Sequence, residues 1–292
     1  MDSREMCDGA ENPESSSEAE SCDSVMVWSL EEAVQKQVLQ ITSSACGATA
    51  VLNALQALGL DVCSDVVEKC VQTRMRKNDA PLIEYLISRS VAGATHQQLI
   101  EGAEKASEGR VTGRFFSFYP ERNVDLTTWL ASWMKKGAIA IATMNMQIAV
   151  PEGEGIPDAW HHQMIFGVDS EGIYMTNPLE IERSSLVKQR LCSGSQLLIR
   201  KQDIMSRLSG DPDFSLLKET VDCSKWEELD VVGQINRMVS GDVAPDDVSH
   251  SSYVVIPAAY RSGVTLFARR HSDLTKELLL TPDLPLLNNQ QS

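Results

Sequence analysis

The chain has 292 residues, 42% of them hydrophobic, and carries a formal net charge of −15 from 41 acidic and 26 basic side chains. That supplies apolar material for a sizeable core in one large domain or two small ones. An acidic chain without clustered Lys and Arg is a poor partner for phosphate backbones, so nucleic acid is not expected, and no apolar run is long enough to span a membrane.

No basic start followed by an apolar stretch opens the sequence, so a cytosolic or nuclear setting is the expectation. The seven cysteines are scattered and odd in number, which argues against a disulfide framework. No C-x-x-C pair occurs, and the adjacent His161 and His162 lack zinc-site spacing, so neither metal nor cofactor is expected.

In chain order, residues 1–25 hold eight acidic side chains and one basic one and read as a disordered acidic tail. A folded domain is expected over 26–275, with a core at 38–210 and a C-terminal extension at 211–275. Val51, Leu52, Leu55 and Leu58 recur at helical spacing, so 46–58 is a helix, closed by Gly59 as its C-terminal glycine. Helices follow at 61–75, 80–89 and 95–106, the last opened by a capping box of Thr95 and Gln98. Cys63 and Cys70 lie seven apart on one face of the second helix and read as packed thiols.

The texture then turns to strands. "RVTGRFFSFY" (110–119) is aromatic and β-branched. An amphipathic helix at 125–137 stops at Gly137 and carries Trp129 and Trp133 on its core face. A buried strand at 138–146 precedes a hairpin at 161–178 that turns at Asp169–Gly172. A strand entering a helix is expected at 195–208, a solvated helix face at "KWEELD", two strands around a turn at 251–270, and a flexible tail at 276–292. Helices first and sheet afterwards argue for an α+β fold.

Cys46 stands at the start of its helix, where unpaired N–H groups and the helix dipole favour a thiolate. Gly47 follows it without a side chain, and Ser43, Ser44 and Ala45 before it are small, so a substrate can approach. A cysteine nucleophile needs a base, a group that orients the base, and donors for the oxyanion. His161 or His162 supplies the base. Strand alternation puts His162 with Met164, Phe166 and Val168 on a core-like face and His161 with Gln163 and Ile165 on the other, so His161 is preferred. Asn177, at the open end of the same hairpin, is placed to hydrogen-bond the imidazole. Gln40 can offer its amide to an oxyanion beside the Cys46 N–H. His96, His250 and His271 read as surface residues, and Trp160 as a packing residue or a shield over the His–Asn contact.

These spacings resemble the papain-like cysteine peptidase superfamily. Gln40 precedes Cys46 by six, His161 and Gly167 fit H-x5-G, and Asn177 follows His161 by 16. The passage "WMKKGAIAIATM" and the pair Asn177-Pro178 are similar to the bacteriocin-processing (double-glycine) peptidase branch. The resemblance implies a papain-like α+β fold, with the cysteine on a central helix packed on an antiparallel sheet that carries His161 and Asn177. It implies thiol-peptidase activity through a thioester, on a peptide or protein substrate and without a cofactor. The alternatives are another acyl transfer on the same site (a deamidase, a transglutaminase-like enzyme or an amide ligase) and a non-catalytic binding module on the same fold.

Overall fold

The computed structural model describes residues 24–40, 42, 44–150, 154–157, 159–210, 212–241 and 252–287. In chain order the elements are β1 (Val25–Met26), α1 (Leu30–Lys36), α2 (Cys46–Ala57), α3 (Ser64–Val71), α4 (Leu82–Val91), α5 (His96–Ala106), β2 (Val111–Ser117), α6 (Leu126–Lys135), β3 (Ile139–Asn145), β4 (Trp160–Val168), β5 (Ile173–Met175) and β6 (Glu180–Glu182). Next come α7 (Ser184–Leu191), β7 (Gln196–Arg200), α8 (Lys201–Met205), a 3-10 helix (Phe214–Glu219), α9 (Cys223–Glu228), α10 (Val231–Ser240), β8 (Tyr253–Pro257), β9 (Gly263–Arg269) and α11 (Asp273–Leu280). No helix among the described residues is long and apolar enough to cross a membrane.

The expected α+β class is what folds. A seven-stranded antiparallel sheet runs β2-β9-β3-β4-β5-β6, with β1 paired to the far end of β4. One sheet face, through Ile139, Ile141, Met164 and Phe166, packs against α2, α3 and α5. The other, through Ala140, Ala142, Met144 and Ile165, packs against α6, α7 and α11. A third cluster joins α4, α10 and the two-stranded β7–β8 sheet, and takes in Trp160 and Tyr260. Each fully buried Leu or Phe in these layers contributes on the order of 2 kcal/mol.

α2 is the central helix. Its first ten residues, Cys46 to Leu55, are all buried, so a polar residue there needs partners. Asn53, fully buried, accepts from the Val38 N–H at 2.7 Å and donates to the Val38 carbonyl at 3.1 Å. That pair of bonds holds the strand-like segment carrying Gln40 against the helix that carries Cys46. At the far end, Gly59 adopts φ +70°, the left-handed turn that lets the chain leave the helix.

Several expectations need correction. Val25–Met26 already pair with Val168 and Gly167, so order begins inside the expected tail; residues 1–23 lie outside the described residues. The strands expected to form one hairpin at 251–270 part company: β8 joins β7, while β9 enters the main sheet between β2 and β3. The division into a core of 38–210 and an extension of 211–275 therefore cuts through the sheet. Residues 276–287 are not a loose tail either. α11 buries Leu278, and Leu284 packs behind it. Arg114 donates to the Leu278 and Leu279 carbonyls, and Arg122 to the Leu284 carbonyl.

Cys63 is exposed at the N-terminal end of α3, and only Cys70 packs in part. In "KWEELD", Trp226 turns inward at 4% exposure. His96 is not a free surface residue: its ring stacks on Phe115 with centroids 4.0 Å apart, and burial pushes its pKa down to about 4. His250 lies outside the described residues, and His271 is exposed.

Candidate active site

Cys46 is the first residue of α2, and Ala45 before it offers no side-chain cap. A helix start leaves N–H groups without intrahelical partners. Ser44 sits at φ 70°, a left-handed conformation that costs a non-glycine residue on the order of 1–3 kcal/mol and gathers at functional sites. Cys46 itself is 7% exposed.

His161 and His162 enter on β4 with their neighbours across the sheet fixed by register: His161 faces Met144 and His162 faces Thr143. The two imidazoles have different fates. His162 lies beneath the first turn of α2, where a Cβ on Gly47 would stand 3.4 Å from its Cδ2. Its Nδ1 lies 3.0 Å from the Thr143 hydroxyl and its Nε2 lies 2.9 Å from the Ala94 carbonyl. A carbonyl only accepts, so Nε2 carries the proton and Nδ1 accepts from the hydroxyl. Burial lowers its pKa to about 4, and the neighbouring His161 charge adds to this. His162 is a neutral core histidine.

The Cys46 thiol is the neighbour that does most to raise the His161 pKa. The His161 Nε2 lies 2.6 Å from the main-chain carbonyl of Asn177. That carbonyl requires a proton on Nε2. Burial alone would lower the His161 pKa. Cys46, the Asn177 carbonyl and the charge of Glu180 outweigh it, so the imidazolium is held above the ordinary histidine value.

The structure brings His161 and Asn177 together. The Asn177 group that meets the ring is the main-chain carbonyl, not the carboxamide. The side-chain Oδ1 accepts instead from the Gln40 N–H at 2.9 Å. The Asn177 N–H in turn donates to Gln37 Oε1 at 3.2 Å. Asn177 adopts φ 57°, a conformation Asn tolerates better than most residues. This backbone twist lets one residue show its carbonyl to His161 and its side chain to the Gln40 segment.

Gln40 lies beside the site, but its amide is partly engaged: Nε2 donates to the Thr42 carbonyl at 2.7 Å. Three further residues matter that spacing did not single out. Gln37 and Asn53 pin the Gln40 segment from either side. Glu180, which accepts from Gln163 Nε2 at 2.7 Å, adds a charge that raises the His161 pKa, after the larger effects of Cys46 and the Asn177 carbonyl. Only Glu180 had a signal available, as a charge three residues beyond Asn177.

Ser44, Cys46, Arg76, Arg89, Gly93 and Tyr260 border a cleft whose free space is about 20 Å³, close to the room one water needs. Tyr260 is clamped between Trp160, stacked at 5.8 Å, and His162, edge-on at 5.9 Å. Its hydroxyl lies over Gly93, where a Cβ would come within 2.1 Å, and Gly93 has φ +94°, so only glycine fits there. Trp160 donates its indole N–H to the Gln196 carbonyl at 3.0 Å, which gives it a packing role against β7.

Removing the Glu180 charge has a predictable sign. Glu180 raises the His161 pKa, so Glu180→Gln lowers it. Any reaction that needs the imidazolium then loses activity at lower pH. The basic limb of a pH–kcat/KM profile should lie above pH 6.5 in the native chain and move down in the variant; an unmoved limb would separate Glu180 from His161.

No family model and no curated protein matches the chain. Solved structures similar to it include a C39-like peptidase from Bacillus anthracis, at 15% identity over 57% of this chain and 92% of that one, with a TM-score of 0.38. A second is the peptidase domain of Streptococcus ComA, a bifunctional ABC transporter of a quorum-sensing pathway, at 13% identity over 52% of this chain and 89% of that domain, with a TM-score of 0.34.

Proposed function

We propose that this chain is a cysteine-nucleophile hydrolase that cleaves peptide bonds in a peptide or protein substrate. One observation carries the reading: Cys46 opens a helix that has no side-chain cap and is the neighbour that does most to raise the pKa of His161. A thiol that only fills a core gains nothing from either feature.

The chemistry follows from the contacts. His161 takes the thiol proton, and the sulfur attacks the substrate carbonyl. The negative oxygen of the tetrahedral intermediate is held by the Cys46 N–H and by Gln40. An amide nitrogen has two N–H groups, and the Thr42 carbonyl takes one of those on Gln40 Nε2. His161 then gives its proton to the leaving amine, and the C–N bond breaks to a thioester. Water loses a proton to His161 and attacks the thioester, releasing the acid and restoring the thiol. The Asn177 carbonyl holds the ring through its Nε2 proton.

The test is digestion of a proteome-derived peptide library, with new termini read by mass spectrometry. The native chain should produce them. Gln40→Ala should slow their formation about 100-fold, the usual cost of one oxyanion donor, while leaving alkylation of Cys46 unchanged, because alkylation forms no oxyanion. Equal cleavage by both proteins would remove Gln40 from the mechanism, and no cleavage by the native chain would remove peptidase activity.

A further inference from the structure

Ser44, two residues before Cys46, carries two penalties at once. Its φ of 70° is left-handed, a conformation that glycine takes freely and serine does not. Its hydroxyl is shut off from solvent and has no hydrogen-bond partner among the described residues, and the whole residue is only 8% exposed. A buried donor left unpaired is costly, and native structures keep few of them. A glycine here would remove both penalties. The fold itself therefore gains nothing from this side chain.

The surroundings of Ser44 supply a reason for it. Ser44 borders the same cleft as Cys46, and the free space there, about 20 Å³, admits one oxygen-sized group. Ser44 also sits in a turn wound on the Thr42 carbonyl, which accepts from Gln40 Nε2 at 2.7 Å and from the Ala45 N–H at 3.2 Å. That turn links the two oxyanion donors of the proposed mechanism, with Gln40 at its start and the Cys46 N–H just past its end. Thr42 within it is exposed, whereas the Ser44 hydroxyl is buried and unspent. A serine hydroxyl swings about a single Cα–Cβ bond, so it can turn to a partner that arrives with the substrate while the main chain stays in place.

We propose that Ser44 is a further catalytic residue, whose hydroxyl donates a hydrogen bond to the negative oxygen of the tetrahedral intermediate beside the Cys46 N–H and Gln40. The inference rests on the reading of Cys46 as a nucleophile. It adds a donor to a site where the Thr42 carbonyl already occupies one of the Gln40 amide N–H groups. Because the hydroxyl finds its partner only as charge develops, its contribution falls on the transition state and not on substrate binding.

The probe is p-nitrophenyl acetate, compared with iodoacetamide, each reacted with the full chain and followed at Cys46 by peptide-resolved mass spectrometry. In acetylation the sulfur bonds the acetyl carbon through a tetrahedral oxyanion, p-nitrophenolate leaves, and His161 takes the thiol proton. Alkylation displaces iodide at a saturated carbon and forms no oxyanion. Ser44→Ala and Ser44→Gly should each slow acetylation at least about 10-fold and leave alkylation unchanged. Their Tm should equal or exceed that of the native chain, since both remove an unpaired hydroxyl and glycine also relieves the turn. Acetylation at the native rate in either variant overturns the role of Ser44, while fast alkylation of native Cys46 leaves the nucleophile standing. Acetylation and alkylation slowed alike, or a Tm well below native in both variants, also overturns it, because Ser44 would then only shape the helix start. Alkylation of native Cys46 slower than that of the exposed Cys63 and Cys223 overturns both readings.

Discussion

His161→Ala should lower kcat/KM for peptide hydrolysis by about 10³–10⁴-fold, the upper range for loss of a general acid–base group, or roughly 4–5 kcal/mol of transition-state stabilisation. The size follows from its two jobs. In the proposed mechanism it takes the proton from Cys46 and gives one to the leaving amine. The loss should appear in kcat and in the alkylation rate of Cys46 together. His161 is only part-buried, so the variant should fold, and its circular dichroism and Tm should stay near native. A variant that folds and keeps more than about a tenth of native kcat/KM would deny His161 the role of base.

The neighbouring histidine should behave in the opposite way. His162→Leu should leave the Cys46–His161 pair in place and strike stability. It strips partners from the buried Ala94 carbonyl and Thr143 hydroxyl, at a cost of about 2–4 kcal/mol. It should also remove a pH dependence. The His162 pKa is about 4 in the fold, against about 6.5 for a solvated histidine. The unfolded chain then binds a proton that the folded chain refuses. The stabilising contribution is complete above pH 6.5 and is lost as pH falls toward 4. Between pH 7 and pH 5 the native chain should lose about 2 kcal/mol through this group, which the leucine variant does not lose. Urea midpoints at the two pH values measure the difference, and equal losses in both proteins would mean that His162 is not held neutral.

The adjacent histidines of "WHHQ" thus sit in different surroundings, His162 in the core and His161 against the Asn177 carbonyl, and the sequence distinguishes them through alternation along a strand. Much of the site is legible in this way because chemistry restricts the residue types and a hairpin restricts the spacing. A nucleophile at a helix start, a base on a strand and a residue at the hairpin's open end leave few arrangements. What the sequence hides is main-chain behaviour. Spacing locates Asn177 but cannot say that its carbonyl, not its carboxamide, meets His161, since that turns on one φ angle. The bond from Gln40 to the Thr42 carbonyl is hidden for the same reason, as are the pins from Gln37 and Asn53. At the level of the fold, local patterns mark β9 as a strand but not its place between β2 and β3, because strand order is settled by non-local packing. Residues 276–287 read as a tail because Arg114 and Arg122 bind their carbonyls, a contact that imposes no side-chain pattern.

The central claim is that Cys46 is an activated nucleophile and not a core thiol, and competitive alkylation tests it most directly. The full chain is treated with limiting iodoacetamide at pH 6.5, and modification at each cysteine is followed by peptide-resolved mass spectrometry. Accessibility alone favours Cys63 and Cys223, which are exposed, over Cys46, which is 7% exposed. If His161 and the helix start activate the sulfur, Cys46 should still react at least about 10-fold faster than either, and His161→Ala should erase that lead. Modification that follows exposure, with Cys63 and Cys223 ahead of Cys46, would contradict the account.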